Sequence, residues 1–332
     1  MVLLGADVGC LPRARAGAGG IELLPAPRLR EGGERNGIRI QRLKDKLGNR
    51  ANASSEVEYE GAEAVLVGEE GRGVRTIIDM VARTRLDCIY GSTAGMRQAV
   101  AEAAWHARHR SAFGALLVDQ PAMTAVLADL QLETEAATAT ALRLARAHDD
   151  DASDADRAFA RLGTAVAKYW ICKRGPGHAY EALECLGGNG YTEAFPLAMR
   201  YCEQPVMAVW EGSGNVIALD VLRALQREPD SLEAFDAEIS RALGADRHLD
   251  AHWERTRRLA GEILRSPDAA ARARELTASL ALALQAALLL QHAPASVADA
   301  FAASRLGDDW RGGALYGALP AGTDAAAIVA RI

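Results

Sequence analysis

The order of apolar and polar residues divides the chain into three stretches. Met1 to about Pro27 shows neither a period of two nor one of 3.6. It is rich in Gly, Ala, Arg and Pro and is expected to form an irregular leader. From Ile38 to about Gly73 the pattern turns to short alternating runs. IRIQRL alternates as a strand does, a second strand is expected around Ser55–Tyr59, and glycines punctuate the turns. Two or three strands are too few to stand alone, because their edges need a partner sheet or covering helices.

From Val74 onward the apolar residues follow helical spacing. Helices are expected over Val74 to about His109, Ala122 to about His148 and Ala158 to Leu186, with a fourth from about Asn215. SAFGALLVDQP interrupts the first at Phe113 and Gly114, DDDASDADR reads as a solvated acidic loop, and GGNG reads as a helix stop. KRGPG, at 173–177, is a candidate kink in the third helix. Four long helices predict a bundle. The tail adds several more helices, with breaks at Pro267, Pro294 and GDDWRGG. The fold expected is therefore mostly α: a leader (1–27), a small β piece (28–73), a four-helix bundle (74–227) and a helical extension (228–332).

Composition narrows the function classes. A net charge of −6 argues against attraction of the whole surface to nucleic acid or anionic membrane. Cys10, Cys88, Cys172, Cys185 and Cys202 are odd in number, and no pair has CxxC spacing. Neither a zinc site nor a disulfide framework is expected, and the cytosol is the natural compartment. The longest apolar run, Leu276 to Leu290, is short for a bilayer and contains Thr, Ser and Gln, so it is read as a buried helix and no membrane partner is expected.

One stretch carries candidate chemistry. In VWEGSGNVIALDVLRAL, Glu211 follows Val209 and Trp210 and precedes a Gly-Ser-Gly hinge and a helix. Ser213 or Asn215 suits the N-cap of that helix, whose dipole favours a carboxylate nearby. An apolar wall acts the other way and raises a carboxyl pKa, which suits a general base. An exposed loop glutamate fits the same spacing.

RHRSAFG, ECLGGNGYT and WEGSGN occur in that order with helices between them. This resembles the C-terminal half of the acyl-CoA dehydrogenase family. RIQRLKDKLGNRANASSEVEYEGAEAVLVGEEGRGV and AVWEGSGNVIALDVLRAL look closer still to its AidB-like branch, the adaptive-response flavoproteins. The likeness runs from about Arg28 to at least Leu225, and more weakly into the helical tail. It implies FAD as cofactor, an acyl-CoA substrate, α,β-dehydrogenation of the thioester, and self-association, relatives being tetramers. Glu211 matches the family's base. Arg110 and Phe113 match its flavin-contacting Arg-x-x-Phe-Gly, with Arg110 on the FAD pyrophosphate and Gln120 lining the same site. Gly187 and Gly188 match a glycine pair that passes close to the FAD of a neighbouring subunit, and Ser213 and Asn215 match positions near its adenine end. Glu184 departs from the pattern, standing where many members have Gln. The same branch is associated with DNA, and Arg255, Arg257, Arg258, Arg265, Arg272 and Arg274 form a loose basic cluster. Yet 228–332 hold 11 Arg and Lys against 15 Asp and Glu, a net charge of −4, and phosphate binding needs clustered positive charge.

Measured against that family, the first helical domain and most of the β domain are missing, so a truncated member is expected, with impaired catalysis or none. One codon assignment for MVLLGADVGCLPRARA, read from its second base, gives Trp-Phe-Cys-Ser-Ala-Pro-Met-Ser-Asp-Ala-Phe-Leu-Val-Leu-Ala. That looks like the strand expected upstream, so 1–27 are read as a stretch translated out of frame.

Overall fold

The computed structural model describes residues 3–4, 8–14, 21–307 and 316–332. They fall into two units, Met1–Thr84 and Arg85–Ile332. In the first unit β1 (Leu3–Leu4), β2 (Val8–Ala14) and β3 (Ile21–Pro27) form an antiparallel sheet in that order, with β2 and β3 in register from Val8 opposite Pro27 to Ala14 opposite Ile21. Where an irregular leader is expected, these stretches are strands: ladder hydrogen bonds come from the main chain and require no alternation of side chains. The rest of 1–20 lies outside the described residues.

β4 (Ile38–Leu43) and β5 (Ser55–Tyr59) pair antiparallel where alternation predicts them, with an irregularity between Ile40 and Arg42. Asn36 ties the loops of this unit together. Its Nδ2 donates to the carbonyls of Pro27 and Glu63, both at 2.8 Å, and its Oδ1 accepts from the amides of Gly37 and Glu63, both at 2.9 Å. Every capacity of a buried amide is thus used.

The division between the units falls within α1 (Gly73–His109). A hairpin of β6 (Ser111–Ala112) and β7 (Ala115–Leu116) follows. Its two turn residues, Phe113 and Gly114, have φ of 54° and 86°, the pair of positive values that a tight hairpin demands. The bundle continues with α2 (Pro121–Ala147), α3 (Asp154–Glu184), α4 (Pro196–Met207) and α5 (Gly214–Arg227). The tail forms α6 (Pro229–Ser240), α7 (Arg247–Arg265), α8 (Ala269–His292), α9 (Ala295–Leu306) and α10 (Ala325–Val329). The expected break at GDDWRGG falls almost wholly outside the described residues.

α3 starts inside the expected acidic loop. The Ser153 hydroxyl accepts from the Asp156 amide at 3.1 Å and the Asp156 carboxylate accepts from the Ser153 amide at 3.3 Å. That reciprocal cap, with Asp154 and Asp156 in the first turn, favours the helix over solvated loop. α3 also runs through Pro176. Beside it the buried amide of Gln204, from α4, is wedged between Gly175 and Gly95 of α1. A Cβ on Gly95 would lie 1.8 Å from its Nε2, and one on Gly175 2.3 Å from its Oε1.

α3 is central, packing against α2, α4, α5, α6 and α8. Phe159 of α3 stacks on Phe235 of α6 with centroids 6.0 Å apart, and Phe235 meets Trp253 of α7 at 6.4 Å. The tail expected as an extension therefore shares one core with the bundle, from Leu86 to Val329. α8 is longer than its apolar run suggests. By length and composition it could cross a membrane, but 67% of its most apolar window is buried, and it packs on α2, α5 and α7 as a core helix does.

A buried ion cluster locks the tail to the bundle. Arg305 of α9 pairs with Asp129 and Glu133 of α2, Arg174 of α3 reaches Glu133 at 3.0 Å, and the Gly317 amide donates to Asp129 at 2.8 Å. Burial alone would raise the Glu133 carboxyl, but Arg174 and Arg305 bring it down to about 2. Burial pushes neighbouring His178 down to about 4.

Candidate functional site

Glu211 sits in the turn that joins α4 to α5. Its φ is 57°, a left-handed value rare for a side-chain-bearing residue, and Gly212 follows at 113°, which favours glycine. Two cations hold the turn. Arg85 Nε donates to the Glu211 carbonyl at 3.1 Å, and Lys168 Nζ donates to the Gly212 carbonyl at 2.6 Å. Arg85 is itself fixed by Asp220 at 2.6 Å, which Arg161 grips at 3.1 Å. The Glu211 side chain is buried, 5% exposed, and its Oε2 has no hydrogen-bond partner. The loop glutamate allowed by spacing is therefore not what the fold builds. The expected apolar wall is only half present: Trp210 is partly buried, but Val209 is 63% exposed.

The expected capping role is not made. Ser213 occupies the N-cap of α5 without a side-chain cap bond. Asn215 Oδ1 instead accepts from Arg274 Nε of α8 at 2.7 Å. Gly214 lies against Lys173 and Arg274, where a Cβ would come 2.5 Å from Lys173 Cε.

A second group of predicted residues meets elsewhere. Arg110, Gly187 and Gly188 line one cleft of about 560 Å³ together with His106, Ala112, Leu117, Glu184 and Asn189. Arg110 is exposed, and no carboxylate among the described residues pairs with it. Gly187 has a φ of 59°, which favours glycine. At Gly188 a Cβ would meet nothing within 4 Å. Its bare backbone leaves room for a ligand. Gln120 donates from Nε2 to the Ala112 carbonyl at 2.8 Å and so braces the hairpin at the cleft's edge. At that hairpin's tip the Phe113 ring is 100% exposed. Gly190 closes the turn: a Cβ would fall 2.0 Å from the Leu183 carbonyl oxygen. Gly190→Ala is expected to cost about 3 kcal/mol, read by urea denaturation, because backbone must move to admit it.

The two groups are separated along α3. Lys168 holds the Glu211 turn and Glu184 lines the cleft. At about 1.5 Å per residue they stand roughly 24 Å apart on the helix axis. His106, Asn189, Arg85 and Lys168 were not picked out from sequence. His106 lies one helical turn before Arg110, a spacing that signals a shared face. Arg85 and Lys168 bond to backbone, which leaves no sequence signal. Among the described residues no group of three His, Cys, Asp or Glu could hold a metal.

Residues 71–226 match the family model described as acyl-CoA dehydrogenase, C-terminal domain. The chain is 44% identical over 296 residues to the putative acyl-CoA dehydrogenase AidB of Escherichia coli K12, covering 89% of this chain and 53% of that protein. The chain belongs to the acyl-CoA dehydrogenase family. Among solved structures, Caenorhabditis elegans ACDH-11 in complex with C11-CoA superposes with a TM-score of 0.79 at 27% identity, over 92% of this chain and 56% of that one. An acyl-CoA dehydrogenase from Bacillus anthracis complexed with FAD superposes at 0.68 and 16% identity, over 90% and 54%, a likeness of fold alone. The chain spans about half the length of the curated relatives it matches.

In this chain the six arginines noted in the tail are largely engaged. Arg258 pairs with Glu254, Arg272 with Glu275 and Glu262, and Arg274 with Asn215. Arg255 donates to the Leu306 carbonyl, and Arg257 lies over the Trp253 ring.

Proposed function

We propose that this chain performs FAD-dependent α,β-dehydrogenation of an acyl-CoA thioester, with Glu211 as the base that takes the α-proton. The observation that carries this is the Glu211 carboxylate, buried with an unpartnered oxygen. A buried carboxylate oxygen without a hydrogen-bond partner is costly, and a group that accepts a proton from substrate gives it a purpose. The worm relative holds C11-CoA, which makes acyl-CoA thioesters the substrate class to try.

The residues present suit FAD. Arg110 offers a guanidinium that no described carboxylate engages, and its fork matches pyrophosphate oxygens. Gly187 and Gly188 expose bare backbone in the same cleft. Ser213 and Asn215 flank the adenine side by resemblance, near the cations Lys173 and Arg274. FAD, when bound, supplies the acceptor for the β-hydride. The chain's own part is to bind and orient the thioester, hold the α-proton at Glu211 and keep water from the reacting carbons. Glu184 in the cleft opposes phosphate by its charge, so the pyrophosphate belongs at the Arg110 end.

Lys168, which holds Glu211's turn, and Glu184, which lines the cleft, stand roughly 24 Å apart along α3, a spacing that supports a site shared by two copies, one giving the base and the other the Arg110 hairpin with Phe113. A homo-oligomer follows from this reading, and the cytosol remains the compartment proposed from the scattered cysteines. The DNA-associated role is the weaker one, because most of the tail's arginines already have partners and the tail is net negative.

Gly188→Ala tests the cofactor site. Its Cβ meets open space, so the melting temperature is expected to stay within about 2 °C. FAD affinity, read by fluorescence titration, is expected to drop tenfold or more. Unchanged affinity contradicts the placement.

A further inference from the structure

We infer that Lys168 is a positioning residue for Glu211: by donating to the Gly212 carbonyl it holds the left-handed turn that aims the Glu211 carboxylate. The inference rests on the reading of Glu211 as base and adds a residue to it.

Lys168 is 1% exposed, in the middle of α3. An ammonium so placed is expensive, and its one hydrogen bond among the described residues is to a main-chain carbonyl, 2.6 Å away. No carboxylate among the described residues pairs with it directly. Burial lowers its pKa, Arg85 acts in the same direction, and Glu211 opposes them. Burial also pushes the Cys88 thiol to about 12 and that of Cys172 to about 11, so both stay neutral thiols beside it. A buried charge of this kind, spent on one carbonyl, is poorly explained by packing. The carbonyl it chooses explains it better.

Glu211 and Gly212 have successive positive φ values, and their carbonyls go to two different cations, Arg85 from α1 and Lys168 from α3. Left-handed φ at a glutamate costs about 1 kcal/mol or more and persists only where its surroundings hold it. Arg85 fixes the residue before the hinge, and Lys168 fixes the hinge itself. Without the second clamp Gly212 regains the freedom of glycine, and the carboxylate loses its bearing. Reacting groups displaced by about 1 Å can lose a hundredfold in rate.

The test uses the full chain and the substitution Lys168→Met, which keeps much of the side-chain volume and removes the donor. Amide hydrogen exchange of the segment 209–216, followed by mass spectrometry without cofactor, is expected to quicken tenfold or more while the rest of α3 is unchanged. Exchange at the wild-type rate overturns the inference whatever the activity. With FAD and butyryl-CoA or C11-CoA, kcat is expected to fall 10- to 100-fold with KM and flavin content within twofold. A defect confined to KM or flavin content overturns it. If Lys168→Met does not fold, Lys168→Leu, which also removes the donor, takes its place and is judged by the same exchange criterion. Glu211→Gln, run in parallel, separates the two ideas. Full turnover there removes Glu211 as base, while the exchange result still judges Lys168.

Discussion

Glu211→Gln is expected to lower kcat for acyl-CoA oxidation by about a thousandfold, the scale of a lost general base. The same substitution is expected to leave the melting temperature within about 4 °C. Glutamine fills the same space, and Oε2 of the wild-type side chain has no partner to lose. Removing a buried charge also lifts its desolvation cost, which offsets the loss of attraction to the Lys168 ammonium. A structural glutamate behaves the opposite way, losing stability more than rate. Exchange of the substrate's α-hydrogen with deuterated solvent gives a second check, because it reports the base alone. Loss of turnover with exchange intact would place the defect elsewhere.

Arg305→Met is expected to be the most destabilising single change in the tail, by about 3 to 5 kcal/mol, because it leaves two buried carboxylates without one of their cations. Asp129 and Glu133 are 1% and 2% exposed, and among the described residues the Gly317 amide and Arg174 would then be left bonded to them. Urea denaturation measures the loss. Adding Asp129→Asn should recover part of it, since one stranded charge is removed, and the absence of any recovery contradicts a network coupled through charge. The same cluster sets the acid response. His178 has a folded pKa of about 4, below its ordinary 6.5, so its contribution is complete above 6.5 and is lost as pH falls toward 4. Over that window it amounts to about 3 kcal/mol. Glu133, near 2 against an ordinary 4.5, adds a further loss only below 4.5. Stability should be flat from pH 8 to about 6.5 and decline below it, and His178→Gln should remove most of the slope between 6.5 and 4.5.

The long helices were legible because period 3.6 over twenty or more residues has no rival reading, and β4 and β5 because strict alternation sat between turn residues. What escaped was set by tertiary contacts. α4 is short and contains Pro205, and its place depends on the groove that Gly95 and Gly175 open for Gln204. The early start of α3 hung on one capping pair within an acidic run. β2 and β3 carry no alternation, so only pairing reveals them. At the site, motif order located Glu211, Arg110, Gly187 and Gly188. It could not show that they form two groups, nor that Asn215 serves Arg274 instead of capping α5, because both follow from where α3 and α8 pass. Lys168 was silent in sequence for a similar reason: a lysine that binds a distant carbonyl looks like any helical lysine.

The most direct measurement is an anaerobic titration of the FAD-loaded chain with acyl-CoA, watching the flavin's visible absorption band. The account predicts that the wild-type band bleaches as thioester is added and that the Glu211→Gln band does not. A chain that binds FAD and never bleaches with any thioester from butyryl-CoA to C11-CoA, or one that bleaches equally without Glu211, contradicts it.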